Sequence, residues 1–186
     1  MSEPPVPAAT DRLFFALRPD ANASSHVTPV AHALRTAHRL RGAVVPAARW
    51  HVTLCFVGDF AGVPPDLLAA LQAAGTAPAG EPAFDVVFDQ AGSFESGSPR
   101  RPLVLRGGDA LADLVGFQSR LVGVLGAHGV ALPTRPYVPH LTLLYDRVAV
   151  PLQPVAPVAW RADGFELVRS RIGRGRHDVL ARWPLG

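Results

Sequence analysis

A four-residue pattern occurs twice in this chain, as His51-Val52-Thr53-Leu54 and as His140-Leu141-Thr142-Leu143. Each copy lies in a short apolar run that ends at a polar turn, which is the pattern of a β-strand. Because side chains alternate between the faces of a strand, the His and Thr of each copy share one face, and the residue between them points to a core. Two strands that each present an imidazole and a hydroxyl predict a paired acid–base site.

The two copies lie about half a chain apart, and each follows a helical segment. This arrangement favours an α+β fold of two pseudo-symmetric lobes, built of mostly antiparallel sheet with outer helices around a central cleft. In such a fold the two histidines would face each other across the cleft. Residues 1–10 are rich in Pro and Ala and are predicted to form a loose or disordered tail, with residues 11–186 forming a single bilobal domain.

Other segments have recognisable helix and strand patterns. Apolar runs predict further strands at residues 12–17, 84–88, 102–106, 165–168 and 178–183. The first helix begins either at a Ser24 cap or at a Thr28 cap with Pro29 in the first helical position. A shorter helix is predicted around residues 65–71. A long helix opens at Asp109 and ends at His128-Gly129, with an apolar stripe of Leu111, Leu114, Val115, Leu121, Val122 and Leu125.

Composition limits the class of protein. The chain has 186 residues, of which 48% are apolar and 18% charged, so it can bury a sizeable core. Its single cysteine, Cys55, agrees with a reducing compartment, and no apolar run approaches the roughly 20 residues that span a bilayer. Without a secretory signal pattern at its N-terminus, the chain is expected to be cytoplasmic.

All 18 basic residues are arginine, and the net charge is +3. This balance suits a polyanionic ligand, although abundant Ala, Pro, Gly and Arg are also typical of a GC-rich coding bias.

Two opposed imidazoles suit displacement at phosphorus, because one can take a proton from the nucleophile while the other gives one to the leaving oxygen. Each such transfer contributes on the order of 10²–10⁴-fold in rate. The hydroxyls of Thr53 and Thr142 could bind the non-bridging oxygens, and this scheme needs no metal. Cys55, expected on the face of His51, is a possible nucleophile but lacks an oriented base, so a small apolar strand residue is the preferred interpretation.

A metal site is an alternative use of the histidines. His51, His140 and His177 could serve as ligands, but the sequence adds no cysteine cluster or dense carboxylate spacing to complete such a site.

The paired motifs belong to a wider pattern. Together with residues 12–17, with Phe56-Val57-Gly58 after the first motif and with the closing segment 170–183, they resemble the 2H phosphoesterase superfamily. Within it, the chain is most similar to the bacterial RNA 2′,3′-cyclic phosphodiesterases, historically called 2′-5′ RNA ligases. The resemblance runs from about Arg12 to Leu185.

This resemblance implies hydrolysis of an RNA 2′,3′-cyclic phosphate to a 2′-phosphate end, with neither metal nor cofactor. His51 would be the general acid and His140 the general base, and the substrate would be an RNA end or a cyclic nucleotide bound by a monomer. The family often has a phosphate-binding Arg five positions after the second His, where this chain has Tyr145. Phe14 could stack on a base or pack in the core. A non-catalytic binder of RNA ends and a reversible 2′-5′ RNA ligase remain alternatives.

Overall fold

Eight strands and three helices account for most of the regular structure in the described part of the chain. The computed structural model describes residues 8–95, 97–134 and 136–186. The strands are β1 (Asp11–Leu17), β2 (Val52–Phe60), β3 (Phe84–Ser93), β4 (Arg101–Arg106), β5 (Leu141–Asp146), β6 (Gln153–Ala162), β7 (Gly164–Arg171) and β8 (Arg176–Pro184). The helices are α1 (Ala21–Ala37), α2 (Pro65–Thr76) and α3 (Ala112–Ala127), and short 3₁₀ turns lie at Ala47–Arg49 and Asp109–Leu111.

The strands form one sheet in the order β6-β3-β4-β5-β2-β1-β7-β8, with antiparallel neighbours throughout. One half holds β1, β2, β7 and β8, and the other holds β3 to β6. The halves join where β2 pairs with β5, through Val52 opposite Leu141. The predicted α+β fold with two pseudo-symmetric lobes is therefore confirmed, with the lobes sharing one continuous sheet.

The helices cover one face of this sheet. α1 packs on β6, α2 on β7 and β8, and α3 on β2 and β3. Their apolar stripes and the inward side chains of the strands form the main core, which includes Phe15, Phe88, Phe117 and Phe165. Phe14 points to the other face of β1, where it forms a separate small cluster with Ala16 and Val168. The helix-free face is therefore the one that presents the histidine motifs.

Helix α1 begins earlier than the sequence predicts. Its N-cap is Asp20, whose side chain accepts a hydrogen bond from the Ala23 N–H at 2.6 Å. The predicted starts at Ser24 or Thr28 are wrong, and Pro29 lies inside the helix. The polar run after Asp20 obscured the first two turns, because only their Ala23 and Val27 face the core.

Strand β6 was not predicted, because prolines interrupt its sequence. Pro154 and Pro157 lie within it. In the described chain β6 is an edge strand that pairs with β3 on one side. An edge position tolerates proline, since its missing N–H need not serve a neighbouring strand on the open side.

The long third helix follows the prediction with two changes. It begins with the 3₁₀ turn at Asp109 and ends at His128-Gly129, where Gly129 has a φ of 74°. Its buried stripe includes Phe117, whereas Val115 and Val122 are 40% and 36% exposed. The segment Asp109–Ala127 is long and apolar enough to cross a membrane, by length and composition only. Its buried stripe belongs to the main core.

The expected loose tail at residues 1–10 can be compared only at its end. Residues 1–7 lie outside the described residues. The Thr10 N–H donates to the Phe60 carbonyl at 2.8 Å, and the Thr10 carbonyl accepts from the Ile172 N–H at 2.9 Å. Thr10 thus continues the pairing of β1, and the domain boundary at residue 11 stays a prediction.

Candidate active site

The two histidine motifs meet where the lobes join. Val52 and Leu141 are paired and fully buried, and His51 and His140 stand directly before them. One step along this antiparallel register places His51 opposite Thr142 and Thr53 opposite His140. The His and Thr side chains are half-buried, while the residues between them lie in the core. The prediction that each His and Thr share a face is therefore confirmed.

Each imidazole is fixed by its own chain. His51 Nδ1 lies 2.7 Å from the Arg49 carbonyl oxygen, and His140 Nδ1 lies 2.7 Å from the Val138 carbonyl oxygen. Because a carbonyl can only accept, Nδ1 carries the hydrogen in both rings. The neutral ring then has a bare Nε2 that can take a proton, and the protonated ring has an Nε2–H that can donate one. Both histidines are thus prepared for acid or base chemistry in the same way.

An aromatic ring supports each imidazole. Phe14 stacks on His51 with 4.8 Å between ring centroids, and the Phe94 ring meets His140 at 4.8 Å in an edge-to-face arrangement. Phe14 is 4% exposed, so its ring contacts protein groups on nearly all sides. Phe14 contacts His51 and, at 5.6 Å, His177, in keeping with the alternative that it packs in the core, and its contact with a base stays a prediction.

Arginines flank both histidines in matching positions. Leu17 pairs with Val52 and Leu105 pairs with Leu141, so Arg18 and Arg106, which follow them in sequence, lie beside His51 and His140. The Arg18 guanidinium donates a hydrogen bond to the Glu166 carboxylate at 2.6 Å and another to the Ala48 carbonyl oxygen at 2.7 Å. Arg49 adds a third cation, and its buried Nε has no hydrogen-bond partner within the described residues. Guanidinium groups so placed favour an anion between the imidazoles.

Burial and these cations act on the histidines in the same direction. Burial lowers the pKa of His51, and the charges of Arg18, His140 and Arg49 lower it further. Burial also lowers the pKa of His140, and the charge of Arg106 adds to this effect. His140 is close enough to influence the titration of His51, so the two rings belong to one electrostatic site.

A third histidine completes one side of the site. His177, on β8, meets the His51 ring edge-on with 5.3 Å between centroids. Burial lowers the pKa of His177 to about 4, and the charges of His51, Arg49 and Arg18 contribute. His177 is therefore neutral at neutral pH. Within the described residues no group of three or more His, Cys, Asp or Glu side chains is arranged to hold a metal ion.

The family model of the 2′-5′ RNA ligase superfamily matches residues 19–174 of this chain. The chain belongs to that superfamily of 2H phosphoesterases. It is similar to the structure of TT0787 from Thermus thermophilus, with 25% identity, a TM-score of 0.71, and coverage of 93% of this chain and 97% of the other.

Two structures of LigT from E. coli are also similar. The apo form has 27% identity and a TM-score of 0.71, covering 96% of this chain and 99% of LigT. The complex with 3′-AMP has 27% identity and a TM-score of 0.71, covering 95% of this chain and 98% of LigT. No curated protein matches the chain.

In this 2H phosphoesterase the strand alternation breaks at the same place after each motif. The pairing of β1 with β2 shifts between Thr53 and Cys55, and the pairing of β4 with β5 shifts between Thr142 and Leu144. Cys55 therefore turns into the core, contrary to the prediction that it shares the face of His51. Burial raises the pKa of Cys55 to about 12, which disfavours a thiolate nucleophile.

Tyr145 occupies the position where the family often has arginine. Because of the shift, Tyr145 takes the face of Thr142 and is 46% exposed, while Asp146 turns inward and is 6% exposed. Asp146 accepts hydrogen bonds from the Arg41 and Gly42 N–H groups at 2.6 and 2.7 Å. The pKa of Arg12 is raised mainly by its hydrogen bond to Asp59, and Tyr145 is close enough to Arg12 to contribute electrostatically. Contact between Tyr145 and substrate stays a prediction.

Sequence reasoning missed the supporting residues. Periodicity and motifs indicate no role for Arg18, Arg49, Arg106 or Phe94, and they offer His177 as a metal ligand. The available signal was their position in the sequence: Arg18 directly follows β1 and Arg106 ends β4, both of which pair with a motif strand, and Arg49 stands two residues before His51. The predicted pair of His51 and His140 and the pair of Thr53 and Thr142 do lie together.

Proposed function

We propose that this protein hydrolyses RNA 2′,3′-cyclic phosphate ends to 2′-phosphate ends by acid–base catalysis. The observation that carries the proposal is the matched pair of imidazoles, His51 and His140, each anchored through Nδ1 and each beside an arginine. Membership of the 2′-5′ RNA ligase superfamily supports a phosphoester substrate. That LigT has been crystallised with 3′-AMP supports a nucleotide ligand.

The reaction uses both states of the imidazole. His140 Nε2 takes a proton from water, and the water oxygen forms a bond to phosphorus. The bond from phosphorus to O3′ breaks, and His51 Nε2–H gives its proton to O3′, leaving a 3′-hydroxyl and a 2′-phosphate. Exchange of one proton with solvent at each ring restores the starting states. Because both rings are anchored through Nδ1 in the same way, the assignment of the acid to His51 follows the family resemblance.

The arginines and threonines would hold the phosphate during this step. Arg18, Arg49 and Arg106 oppose the charge that develops on the non-bridging oxygens. Thr53 and Thr142 project beside the opposite motif's histidine and supply hydroxyl donors. The carbonyl-bound Nδ1 groups keep both rings aimed, so each proton transfer needs little reorganisation. Action as a cytoplasmic monomer without a metal or membrane partner stays a prediction.

The test is turnover of an RNA oligonucleotide bearing a 2′,3′-cyclic end, in EDTA. We expect His51→Ala and His140→Ala each to reduce kcat by about 10²–10⁴-fold, because each removes one proton transfer. His32→Ala is the matched control, since His32 is exposed on α1. Absence of turnover in wild type, or wild-type rates in both motif variants, would refute the proposal.

Tyr145 favours a second candidate, a non-catalytic binder of RNA ends. The position lacks the cation that the family often places on the phosphate, so affinity without turnover is the competing expectation. Tight binding of a 2′-phosphorylated oligonucleotide together with no hydrolysis of any cyclic substrate would favour this candidate. Formation of 2′-5′ linkages from cyclic and 5′-hydroxyl ends would instead identify reversible ligation at the same phosphorus.

A further inference from the structure

A buried carboxylate lies on the helix-free face that carries the histidines. Glu166 is on β7, where it pairs with Ala16 of β1 and with Arg182 of β8. Two residues further on, Val168 packs against Phe14 on this face, and side chains two apart in a strand share a face. Because a carboxylate repels phosphate, Glu166 is unsuited to bind the substrate. Its contacts within the protein therefore explain its position.

The two carboxylate oxygens of Glu166 contact two arginines. Oε2 accepts a hydrogen bond from Arg18 Nε at 2.6 Å, and Oε1 lies 2.9 Å from Arg182 Nε. The Arg182 side chain is 71% exposed, whereas that of Arg18 is 24% exposed. Exposed ion pairs contribute little to stability, while charge-assisted hydrogen bonds shielded from water are short and strong. Of the two contacts, the one with Arg18 is therefore the one that fixes a side chain.

Arg18 connects Glu166 to the turn that precedes His51. While its Nε donates to Glu166, its Nη1 donates to the Ala48 carbonyl oxygen at 2.7 Å. Ala48 lies in a 3₁₀ turn with no buried residue, and no side chain in the described part of the chain caps it. The next carbonyl along the chain, that of Arg49, accepts the hydrogen of His51 Nδ1 at 2.7 Å. A shift of this turn would therefore move the carbonyl that orients the imidazole.

The second motif is supported differently. Arg106, in the matching position, lies over the Phe94 ring at 5.2 Å from its centroid, and Phe94 contacts the His140 ring. Arg106 forms none of the ion pairs found among the described residues. The carbonyl that orients His140 belongs to Val138. The contacts of Glu166 thus support one histidine of the pair, and the other serves as an internal reference.

We propose that Glu166 is a positioning residue for His51, which it orients by holding Arg18 against the Ala48 carbonyl oxygen. Glu166 touches neither the substrate nor the reacting atoms, and it acts through its hydrogen bond to Arg18 rather than through its charge. The effect on turnover rests on the proposed phosphodiesterase function, whereas the orientation of the ring can be measured without any substrate.

The first experiment replaces Glu166 by a side chain of similar size that accepts no strong hydrogen bond. For Glu166→Met we expect kcat on the RNA 2′,3′-cyclic end to fall about 10-fold, because a misplaced imidazole transfers its proton less well. KM should change less than about 2-fold, since Arg18 keeps its charge. Glu166→Gln should restore kcat to within about 2-fold of wild type, because its amide oxygen still accepts from Arg18 Nε. Glu81→Met is the matched control, since Glu81 also accepts hydrogen bonds from an arginine, Arg120 of α3.

The second experiment measures the imidazoles directly. Long-range ¹H–¹⁵N correlation spectra, recorded at a pH where both rings are neutral, show which ring nitrogen carries the hydrogen. In wild type we expect Nδ1–H in both His51 and His140, because each Nδ1 faces a carbonyl oxygen. Glu166→Met should give His51 a second population with Nε2–H, while His140 keeps Nδ1–H alone. A general loosening of the fold would change both rings alike.

Three results would overturn the proposal: wild-type kcat in Glu166→Met, a Glu166→Gln variant as impaired as Glu166→Met, or equal spectral changes in both histidines. If wild type hydrolyses no cyclic phosphate, the phosphodiesterase function fails and the spectra alone decide. A change confined to His51 then supports the positioning role, and no change refutes it.

Arg18→Lys takes the place of Glu166→Met in both measurements if that variant does not fold. A lysine keeps the charge, but its single nitrogen cannot take the positions of both Nε and Nη1. The His51 signal alone should then change, and an unchanged His51 signal would refute the proposal.

Discussion

His177 makes the stability of the protein depend on pH in a way that one substitution can remove. Its pKa is about 4 in the folded protein, against 6.5 for an ordinary histidine. Between these values the unfolded chain binds a proton at His177 and the folded chain does not. The free energy of unfolding therefore falls as the pH is lowered from 6.5 toward 4, and this contribution is fully present above pH 6.5.

The size of the effect follows from the shift. Each pKa unit corresponds to about 1.4 kcal/mol, so the whole shift to about 4 sets an upper limit near ~3 kcal/mol. Lowering the pH from 6.5 to 5 covers about 1.5 pH units, so the free energy of unfolding would fall by at most ~2 kcal/mol. Because His177 is only partly buried, solvent screening reduces the contribution, and we expect about 1 kcal/mol.

Urea unfolding at pH 7.5 and pH 5.0 measures this contribution. We expect wild type to lose about 1 kcal/mol more stability between the two pH values than His177→Phe, which keeps a ring against Phe14 and His51 but cannot titrate. His140 titrates in both proteins, so its contribution cancels, whereas His51 and His177 act on each other's titration, so the difference measures His177 together with its coupling to His51. His32→Phe is the control for loss of an exposed imidazole. An identical loss in wild type and His177→Phe would refute the reasoning.

Three further predictions concern packing, charge and capping. Phe14→Leu keeps an apolar side chain beneath His51 but removes the ring stacking. We expect kcat to fall about 5-fold in single-turnover assays with little change in KM, and an unchanged kcat would show that stacking does not orient His51. Tyr145→Arg adds a cation on the face of Thr142 and should lower KM about 3-fold at low salt and less at high salt, whereas a salt-independent KM would contradict an electrostatic role. Asp20→Ala removes the α1 cap and should lower the free energy of unfolding by about 1 kcal/mol in urea titrations, and a loss below ~0.3 kcal/mol would contradict the capping role.

The sequence was sufficient to predict the paired strands, which follow from local periodicity, and the lobed fold, which follows from the half-chain separation of the two motifs. Alternation in the two motifs correctly placed Val52 and Leu141 in the core and each His beside its Thr. It failed just beyond the first motif, at Cys55, because an extra residue in one strand of a pair reverses the side chains that follow it. Such a shift depends on the neighbouring strand, which periodicity within one segment does not describe.

The supporting groups could not be predicted for a related reason. Arg18 and Arg106 acquire their positions beside the histidines only through the pairing of β1 with β2 and of β4 with β5. His177 reaches His51 through the pairing of β7 with both β1 and β8. These are contacts between segments far apart in the chain, so their partners become known only when the strand order is known.

The strand order also has a consequence for biosynthesis. The lobe of β3 to β6 is one continuous segment, Phe84–Ala162, whereas the other lobe combines β1 and β2 with the final hairpin of β7 and β8. During translation the ribosome therefore delivers every strand of the continuous lobe before the discontinuous lobe can be completed. The Phe14 ring becomes buried only after the last strands are made, because Val168 and His177, which pack against it, lie on β7 and β8. A nascent or truncated chain that ends before β7 carries both His51 and His140 yet lacks the strand that encloses the first of them.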